Sequence, residues 1–184
     1  MKDYFEKGVL FIDGEYLKKV LMKKLDGFKL DYLKFSDKIC LDLELMRLRT
    51  YFYDCLPIIR KNNPLDIKLD AKRQLFISQL KRLPRFEVRL GKLQLIGGKF
   101  RQKMVDVLMS LDVVEMCFGG KVGHVILVAG DSDFVPAIRK AKDCGIIVHL
   151  VCDRNSAHNE LMDIVDEIHE LNLDFVSGCE IDGS

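Results

Sequence analysis

The sequence predicts an α/β domain built on a mainly parallel sheet, and three observations lead to this fold class. Short apolar runs bounded by turn residues alternate with longer segments that carry apolar residues at helical spacing. Such alternation is typical of strands joined by helices that cross over the sheet. The 184 residues, 48% of them hydrophobic, are enough for one core, and neither an internal repeat nor a low-complexity linker divides them. We therefore expect one domain over residues 1–184.

The first part of the chain predicts two strands and three helices. The run GVLFID (Gly8–Asp13) is a short apolar strand, and EYLKKVLMKKL after it has the apolar spacing of a helix with lysines between. A second helix is expected to begin near Asp31, whose side chain suits an N-cap. The aromatic and β-branched run Leu48–Asp54 predicts the next strand. Pro64 then opens a third helical pattern.

The second part continues the alternation. FEVRL and KLQLI alternate around Gly91, which favours one strand or a hairpin that ends at Gly97-Gly98. KMVDVLMSLDVVEMCF predicts a helix with little polar surface, HVILVAGD a strand, FVPAIRKAKDC a helix capped by Gly145, and IIVHLVC a strand. NELMDIVDEI is expected to be the last helix, with a short terminal strand after it.

Composition excludes several classes of protein. Charged residues interrupt the beginning of the chain, so we expect no signal peptide. The longest apolar runs are too short to cross a membrane. Six scattered cysteines without a C-x-x-C pair indicate reduced thiols in a cytoplasmic protein, rather than a disulfide framework or a zinc site.

The charges are unevenly distributed along the chain. Residues 59–103 contain 13 basic and 3 acidic side chains, a net charge of +10, whereas residues 104–184 contain 5 basic and 15 acidic, a net charge of −10. The basic stretch predicts either a nucleic-acid partner or a solvated face that pairs with the acidic third. Its candidate phosphate contacts are Arg60, Lys61, Lys72, Arg73, Lys81, Arg82, Arg85, Arg89, Lys92, Lys99 and Arg101.

Carboxylates follow two of the predicted strands. Asp13 ends the first strand, Asp131 ends the HVILVAGD strand, and Asp133 comes two residues later. If these strands are neighbours where the strand order reverses, the carboxylates meet at one edge of the sheet. An oxygen-only cluster without histidine suits Mg²⁺ or Mn²⁺ rather than zinc. The alternative is that each aspartate only caps its own turn or helix.

Four segments in order resemble the NYN domain family, a branch of the PIN-like nucleases: VLFIDGEYL, YFYDCLP, KMVDVLMSLDV and ILVAGDSDFVPAIRKAKDCGIIVHLV. The resemblance extends from about Val9 to Leu171. It implies a Rossmann-like (PIN-like) three-layer sandwich and a metal-dependent ribonuclease that uses Mg²⁺ or Mn²⁺.

The resemblance also implies roles for individual residues. Asp13, Asp106 and Asp131 match the family's catalytic, metal-binding aspartates, and Asp133 matches the second aspartate of the GDSDF block, a further metal ligand. Tyr16 stands where the family often has Asn, which puts in question how a water or a substrate is oriented.

Four more side chains are expected to contact substrate: Lys103, Ser132, Arg82 and Arg85. Lys103 lies three residues before Asp106 and shares a helix face with it if that helix begins early enough.

Three further sets of residues have other expected roles. Tyr51 and Tyr53 fit a buried strand better than a base-stacking surface. Asp112 lies about 120° around the helix from Asp106, which favours contact with a neighbouring loop or with solvent over the same cation. Of the histidines, His124 and His149 are expected to be structural, and His158 and His169 to lie on the surface.

Three other functions compete with the nuclease. The domain could bind RNA without cutting it, alone, as a homo-oligomer or with a protein partner. Glu15 with Asp131 and Asp133 resembles a Toprim arrangement, which leaves the KMVDV segment unexplained. A serine esterase with Ser132 as nucleophile lacks a histidine base at a recognisable spacing.

Overall fold

The computed structural model describes residues 5–55, 64–96, 99–103 and 105–181. Its centre is a seven-stranded sheet: β1 (Lys7–Asp13), β2 (Met46–Cys55), β3 (Phe86–Ile96), β4 (Lys99–Lys103), β5 (His124–Val128), β6 (Ile147–Cys152) and β7 (Glu167–Glu170). The strand order is β4-β3-β2-β1-β5-β6-β7. Six of these strands are parallel, and only β4 runs antiparallel, beside β3. The predicted α/β class with a mainly parallel sheet is confirmed.

Helices cover both faces of this sheet. They are α1 (Gly14–Lys23), α2 (Tyr32–Asp42), α3 (Pro64–Leu80), α4 (Val105–Phe118), α5 (Val135–Asp143), α6 (Asn159–Ile164) and α7 (Leu173–Val176). One core layer packs α4, α5 and α6 against the sheet, and the other packs α1, α2 and α7 against it. The result is the expected three-layer sandwich.

The first strand, β1, is a continuous apolar run because both of its faces are buried. Val9, Leu10, Phe11 and Ile12 have no exposed surface, because a central parallel strand has a helix layer on each face. On the neighbouring β2, the buried rings of Tyr51 and Tyr53 stack on Phe11, with centroids 5.3 and 6.4 Å away. The two tyrosines therefore belong to the core.

The region around Gly91 differs in detail from the prediction. FEVRL and KLQLI form one continuous strand, β3, whose antiparallel partner is Lys99–Lys103. Gly97 and Gly98 lie outside the described residues. Because α4 begins only at Val105, Lys103 belongs to β4 and does not share a helix face with Asp106.

The predicted last helix is also divided. Helix α6 ends at Ile164, and Glu167–Glu170 forms β7. Asp166 bridges to β6 twice, since its N–H donates to Val148 O and its Oδ2 accepts from Val148 N–H. This tertiary pairing overrides the helical spacing of the sequence. None of the helices in the described part of the chain has the length and apolar character needed to span a membrane.

Candidate active site at the carboxyl edge of the sheet

The strand order reverses between β1 and β5, and a groove of about 1060 Å³ lies beyond the carboxyl ends of the strands there. Open parallel sheets bind ligands at such a reversal because the flanking connections diverge. Aspartates from four adjacent strands line the groove: Asp54 from β2, Asp13 from β1, Asp131 after β5 and Asp153 after β6. Asp106, in the first turn of α4, lines it as well.

Asp13 is fixed in position by its own helix. Its Oδ1 accepts hydrogen bonds from the backbone N–H groups of Glu15 (2.9 Å) and Tyr16 (3.0 Å), so Asp13 is the N-cap of α1. Helix α1 can follow β1 directly because Gly14 has no side chain. A Cβ there would lie 2.5 Å from Cζ of Phe52. Capping uses one carboxylate oxygen, which leaves Oδ2 for a ligand.

The carboxylates of this edge interact electrostatically. Burial raises the pKa of Asp13 to about 6, against the lowering effect of its two backbone hydrogen bonds, and the charge of Asp106 raises it further. The pKa of Asp106 is raised mainly by burial, and then by the charges of Asp131 and Asp133. Ionisation of Asp13 and Asp106 is therefore unfavourable in this environment. A bound cation would relieve this cost, and the carboxylate oxygens suit a hard divalent ion. His158 also lines the groove.

Asp131 and Asp133 have different positions relative to the groove. Asp131 borders it, and its side chain also accepts a hydrogen bond from Asp133 N–H (3.2 Å), which caps the turn Ser132–Phe134. Ser132 and Asp133, both within the described residues, do not line the groove. Asp13 and Asp131 therefore both act as N-caps, as the alternative interpretation expected, and both side chains also line the groove.

The carboxylate oxygens of the groove do not form one compact ligand set. Within the described residues, Asp13, Asp106 and Asp131 do not bring their oxygens all within 4.8 Å of one another. Mg²⁺ usually retains several waters and takes only one or two carboxylates directly. Carboxylates are nevertheless the type of donor that Mg²⁺ and Mn²⁺ prefer.

Tyr16 connects three elements beside the cluster. Its hydroxyl accepts the backbone N–H of Asp153 (3.0 Å) and lies 3.4 Å from Ser156 Oγ. Its ring packs against Gly130, in the loop that follows β5. Burial raises the pKa of Tyr16 to about 12, so the hydroxyl stays protonated at neutral pH and cannot act as a general base there.

Two aspartates of the groove were not predicted. Asp54 is buried and forms an ion pair with Arg73 of α3. Asp153 is 5% exposed, its Oδ2 accepts no hydrogen bond from the described residues, and Lys24 Nζ lies 3.8 Å from that oxygen. The sequence signal was present in YFYDC and LVCDR, because both place an aspartate at a strand end, as FIDG does.

Four basic residues beside the groove come from α1 and its C-cap, and Arg73 of α3, one of the predicted phosphate contacts, lines it too. Lys18, Lys19, Lys23 and Lys24 are exposed and line it. They belong to the segment EYLKKVLMKKL, whose pattern alone indicates no more than the polar face of a helix.

The structure does not bring Arg82 and Arg85 to this site. Both precede the amino end of β3, whereas the aspartates lie beyond the carboxyl ends of the parallel strands. Arg85 donates to the carbonyl oxygen of Arg47 (2.7 Å) and lines a separate depression. Arg82 and Arg85 therefore lie at the opposite end of the strands from the aspartates, and their contact with substrate stays a prediction. Several candidates lie outside the described residues, as whole residues or as side chains: Arg60, Lys61, Lys92, Lys99, Arg101 and Lys103.

Asp112 has a structural position on α4. Its Oδ2 accepts a hydrogen bond from Tyr53 Oη (2.5 Å) and lies 3.4 Å from Arg89 Nε. Asp112 thus holds α4 against β2 and β3, rather than against a loop.

The chain belongs to the NYN domain family, since the sequence model of that family matches residues 7–172. The fold of this family is that of the PIN-like nucleases, whose members are generally metal-dependent ribonucleases.

Similar proteins support the fold more than the activity. An uncharacterised protein of Methanocaldococcus jannaschii is 34% identical over 71 residues, which cover 39% of this chain and 30% of that protein. One of Sinorhizobium fredii is 34% identical over 65 residues, covering 35% and 29%. The chain thus matches less than a third of the length of these curated relatives. A crystal structure of a protein of unknown function from Vibrio parahaemolyticus superposes with a TM-score of 0.70 at 23% identity, covering 96% of this chain and 99% of that one.

Proposed function

We propose that this protein is a Mg²⁺- or Mn²⁺-dependent ribonuclease that hydrolyses phosphodiester bonds at the carboxyl edge of the sheet. The observation that carries the proposal is the meeting of Asp13, Asp106 and Asp131 in one groove. They come from a strand end, a helix start and a loop that are remote in the sequence. Capping explains single aspartates, but it does not explain why three elements bring repelling carboxylates together.

The aspartates and lysines of the groove would have different roles in the reaction. Asp13, Asp106 and Asp131 would hold the ion, with Asp133 close enough to add to the negative field. When bound, the divalent ion supplies a water of lowered pKa and compensates the charge of the phosphodiester. The α1 cap keeps the Asp13 carboxylate in one orientation. The exposed lysines of α1 would contact backbone phosphates on either side of the bond that is cut.

The partner is RNA, and the compartment is the cytoplasm. All six cysteines are free thiols, which suits a reducing compartment. The choice of RNA over DNA rests on the family.

A catalytically inactive RNA-binding module is the second candidate, and Tyr16 is the observation that favours it. Its ring occupies the space beside Gly130, and its hydroxyl is already bonded to the Asp153 backbone. Where the family often has Asn, whose polar side chain could orient a water, this chain therefore has a packed aromatic ring.

The test is incubation of the purified protein with end-labelled single-stranded RNA in Mn²⁺, in Mg²⁺ or in EDTA, beside the variant Asp131→Asn. We expect cleavage with either ion, none in EDTA and little by the variant. Undiminished cleavage in EDTA would contradict the proposal. RNA binding without cleavage under every condition would establish the binding module instead.

A further inference from the structure

Three histidines form a row across β5, β6 and β7, outside the aspartate groove. His124 Nδ1 lies 2.9 Å from His149 Nε2, and His149 Nδ1 lies 3.3 Å from His169 Nε2. The planes of successive rings are inclined by 22° and 29°, and their centroids lie 5.2 and 5.5 Å apart. His124 is the first residue of β5, so the row begins at the amino end of the sheet, opposite the aspartates. The proposed hydrolysis makes no use of it.

His149, His169 and Glu167 form a triangle of ligand atoms. The sides measure 3.3 Å from His149 Nδ1 to His169 Nε2, 3.3 Å from His149 Nδ1 to Glu167 Oε2, and 3.7 Å from His169 Nε2 to Glu167 Oε2. Ligands bound at about 2.0–2.1 Å to a tetrahedral zinc ion lie roughly 3.4 Å from one another. The three distances therefore match those around an ion of that size.

Hydrogen bonds behind the triangle favour the ring orientation that a metal needs. If His149 presents the lone pair of Nδ1 to the triangle, its Nε2–H donates to Nδ1 of His124. The Nε2–H of His124 then donates to Glu6 Oε2, at 2.5 Å. Metal-binding histidines commonly have their second nitrogen held in this way, which fixes the tautomer and raises the basicity of the ligand.

The triangle is open to solvent on one side. The side chain of His149 is 4% exposed, that of His169 25% and that of Glu167 54%. An ion can therefore enter past Glu167, and a water can take the fourth position. Burial lowers the pKa of both His149 and His169, which keeps the imidazoles neutral, as ligands must be.

We propose that His149, Glu167 and His169 bind a zinc-class divalent transition-metal ion, at a site separate from the aspartate groove. Two imidazoles and one carboxylate select such an ion over Mg²⁺, which prefers an all-oxygen shell. The ion would tie β7, a four-residue strand at the edge of the sheet, to β6. Through His124 and Glu6 it would also fix β5 and the segment before β1.

The experiment is a Co²⁺ titration of metal-free protein, followed by visible absorption, because tetrahedral Co²⁺ absorbs far more strongly than octahedral Co²⁺. We expect one tetrahedral Co²⁺ per chain, displaced by Zn²⁺, and a higher melting temperature with Zn²⁺. Glu167→Gln and His169→Ala should weaken binding at least tenfold and abolish the Zn²⁺-dependent rise in melting temperature. His158→Ala, at an exposed histidine outside the triangle, should bind tetrahedral Co²⁺ as the wild type does.

Two results would overturn the proposal. One is a wild-type protein without a tetrahedral Co²⁺ spectrum, which would make the row a hydrogen-bonded chain and nothing more. The other is unchanged affinity in Glu167→Gln, whose exposed side chain can be altered without affecting the fold. Cleavage of RNA is measured separately, so failure here leaves the proposed nuclease activity untouched.

Discussion

The ring of Tyr16 occupies the space that a side chain at Gly130 would need. A Cβ on Gly130 would lie 2.3 Å from Cε2 of Tyr16, a separation that atoms cannot adopt. The glycine after β5 and the tyrosine in α1 are therefore a matched pair. Their contact joins the two sides of the strand reversal just behind Asp13 and Asp131.

This pair predicts a strong coupling between two substitutions. Gly130→Ala should destabilise the wild type by about 1–3 kcal/mol, the usual cost of overpacking. The same change should cost much less in a Tyr16→Asn background, where the ring is gone. Urea unfolding of the two single variants and the double variant gives the coupling energy. Additive effects would mean that the ring moves aside freely.

Asp13 predicts a pH dependence of stability in metal-free protein. Its pKa is about 6 in the fold against 3.8 as the ordinary value. A raised pKa means that the stability contributed by protonation is fully present below about pH 4 and is lost as the pH rises through 6. Asn is an equally good N-cap, so Asp13→Asn removes the charge alone.

The variant should therefore melt like the wild type near pH 4 and be more stable at pH 7.5. The difference should be about 1–3 kcal/mol, since one pKa unit corresponds to 1.36 kcal/mol and the group is partly exposed. Thermal melts in EDTA at the two pH values measure it. If the variant and the wild type differed in stability by the same amount at both pH values, the charge of Asp13 would not be the cause of the difference.

Two aspartates of α4 should respond differently to the same change. Asp106→Asn should reduce metal-dependent cleavage by roughly 100-fold or more, because loss of a ligand exceeds the 10–100-fold effect of an outer-shell partner. It should also raise the metal-free melting temperature, since a repelling charge is gone. Asp112→Asn is the matched control and should keep substantial activity, because its carboxylate contacts Tyr53 and Arg89.

Cleavage rates and melting temperatures of both variants, measured side by side, make the comparison. Equal loss of activity in two folded proteins would mean that Asp112 also serves the site.

The basic groups that contact RNA are expected on α1. Lys18→Ala with Lys23→Ala should weaken binding and reduce the salt slope by about 1.4, because each phosphate that a cation neutralises on single-stranded RNA accounts for about 0.7. Lys81→Ala with Arg82→Ala removes the same charge before the amino end of β3 and should change neither. Binding is measured at several salt concentrations in the Asp131→Asn background, so that the RNA stays intact. A larger effect of the second pair would place the RNA on the 59–103 segment instead.

Local pattern was enough to predict most of the fold. The buried run Val9–Ile12 has the signature of a central parallel strand, and Asp31 is the N-cap of α2 as expected. The predicted last helix extends too far, to Ile168, whereas α6 ends at Ile164 and the short strand expected after it begins at Glu167. The cause is physical, because Asp166 and β6 form hydrogen bonds that no local pattern contains.

The site was predictable only where residues follow strands. Asp13 and Asp131 could be placed at one edge because the carboxyl ends of parallel strands coincide. The histidine row could not be foreseen, since it depends on the register of three strands, in which Ile126 pairs with His149 and Val151 with His169. His169, expected at the surface, is half-buried against His149. Arg82 and Arg85 could not be placed for a similar reason, because the density of charge along the sequence does not say which edge of a sheet a loop occupies. Their contact with substrate stays a prediction.

The direct passage from β1 into α1 has a consequence for engineering. With Gly14 packed against Phe52 and with no linker between strand and helix, this corner of the protein cannot absorb an added or deleted residue. In a library of variants with randomly lengthened or shortened connections, we therefore expect almost no folded protein among those altered between β1 and α1. Variants altered at other connections should fold more often. Substitutions that aim to alter the proposed RNA preference should leave Asp13 unchanged and vary the exposed face of α1.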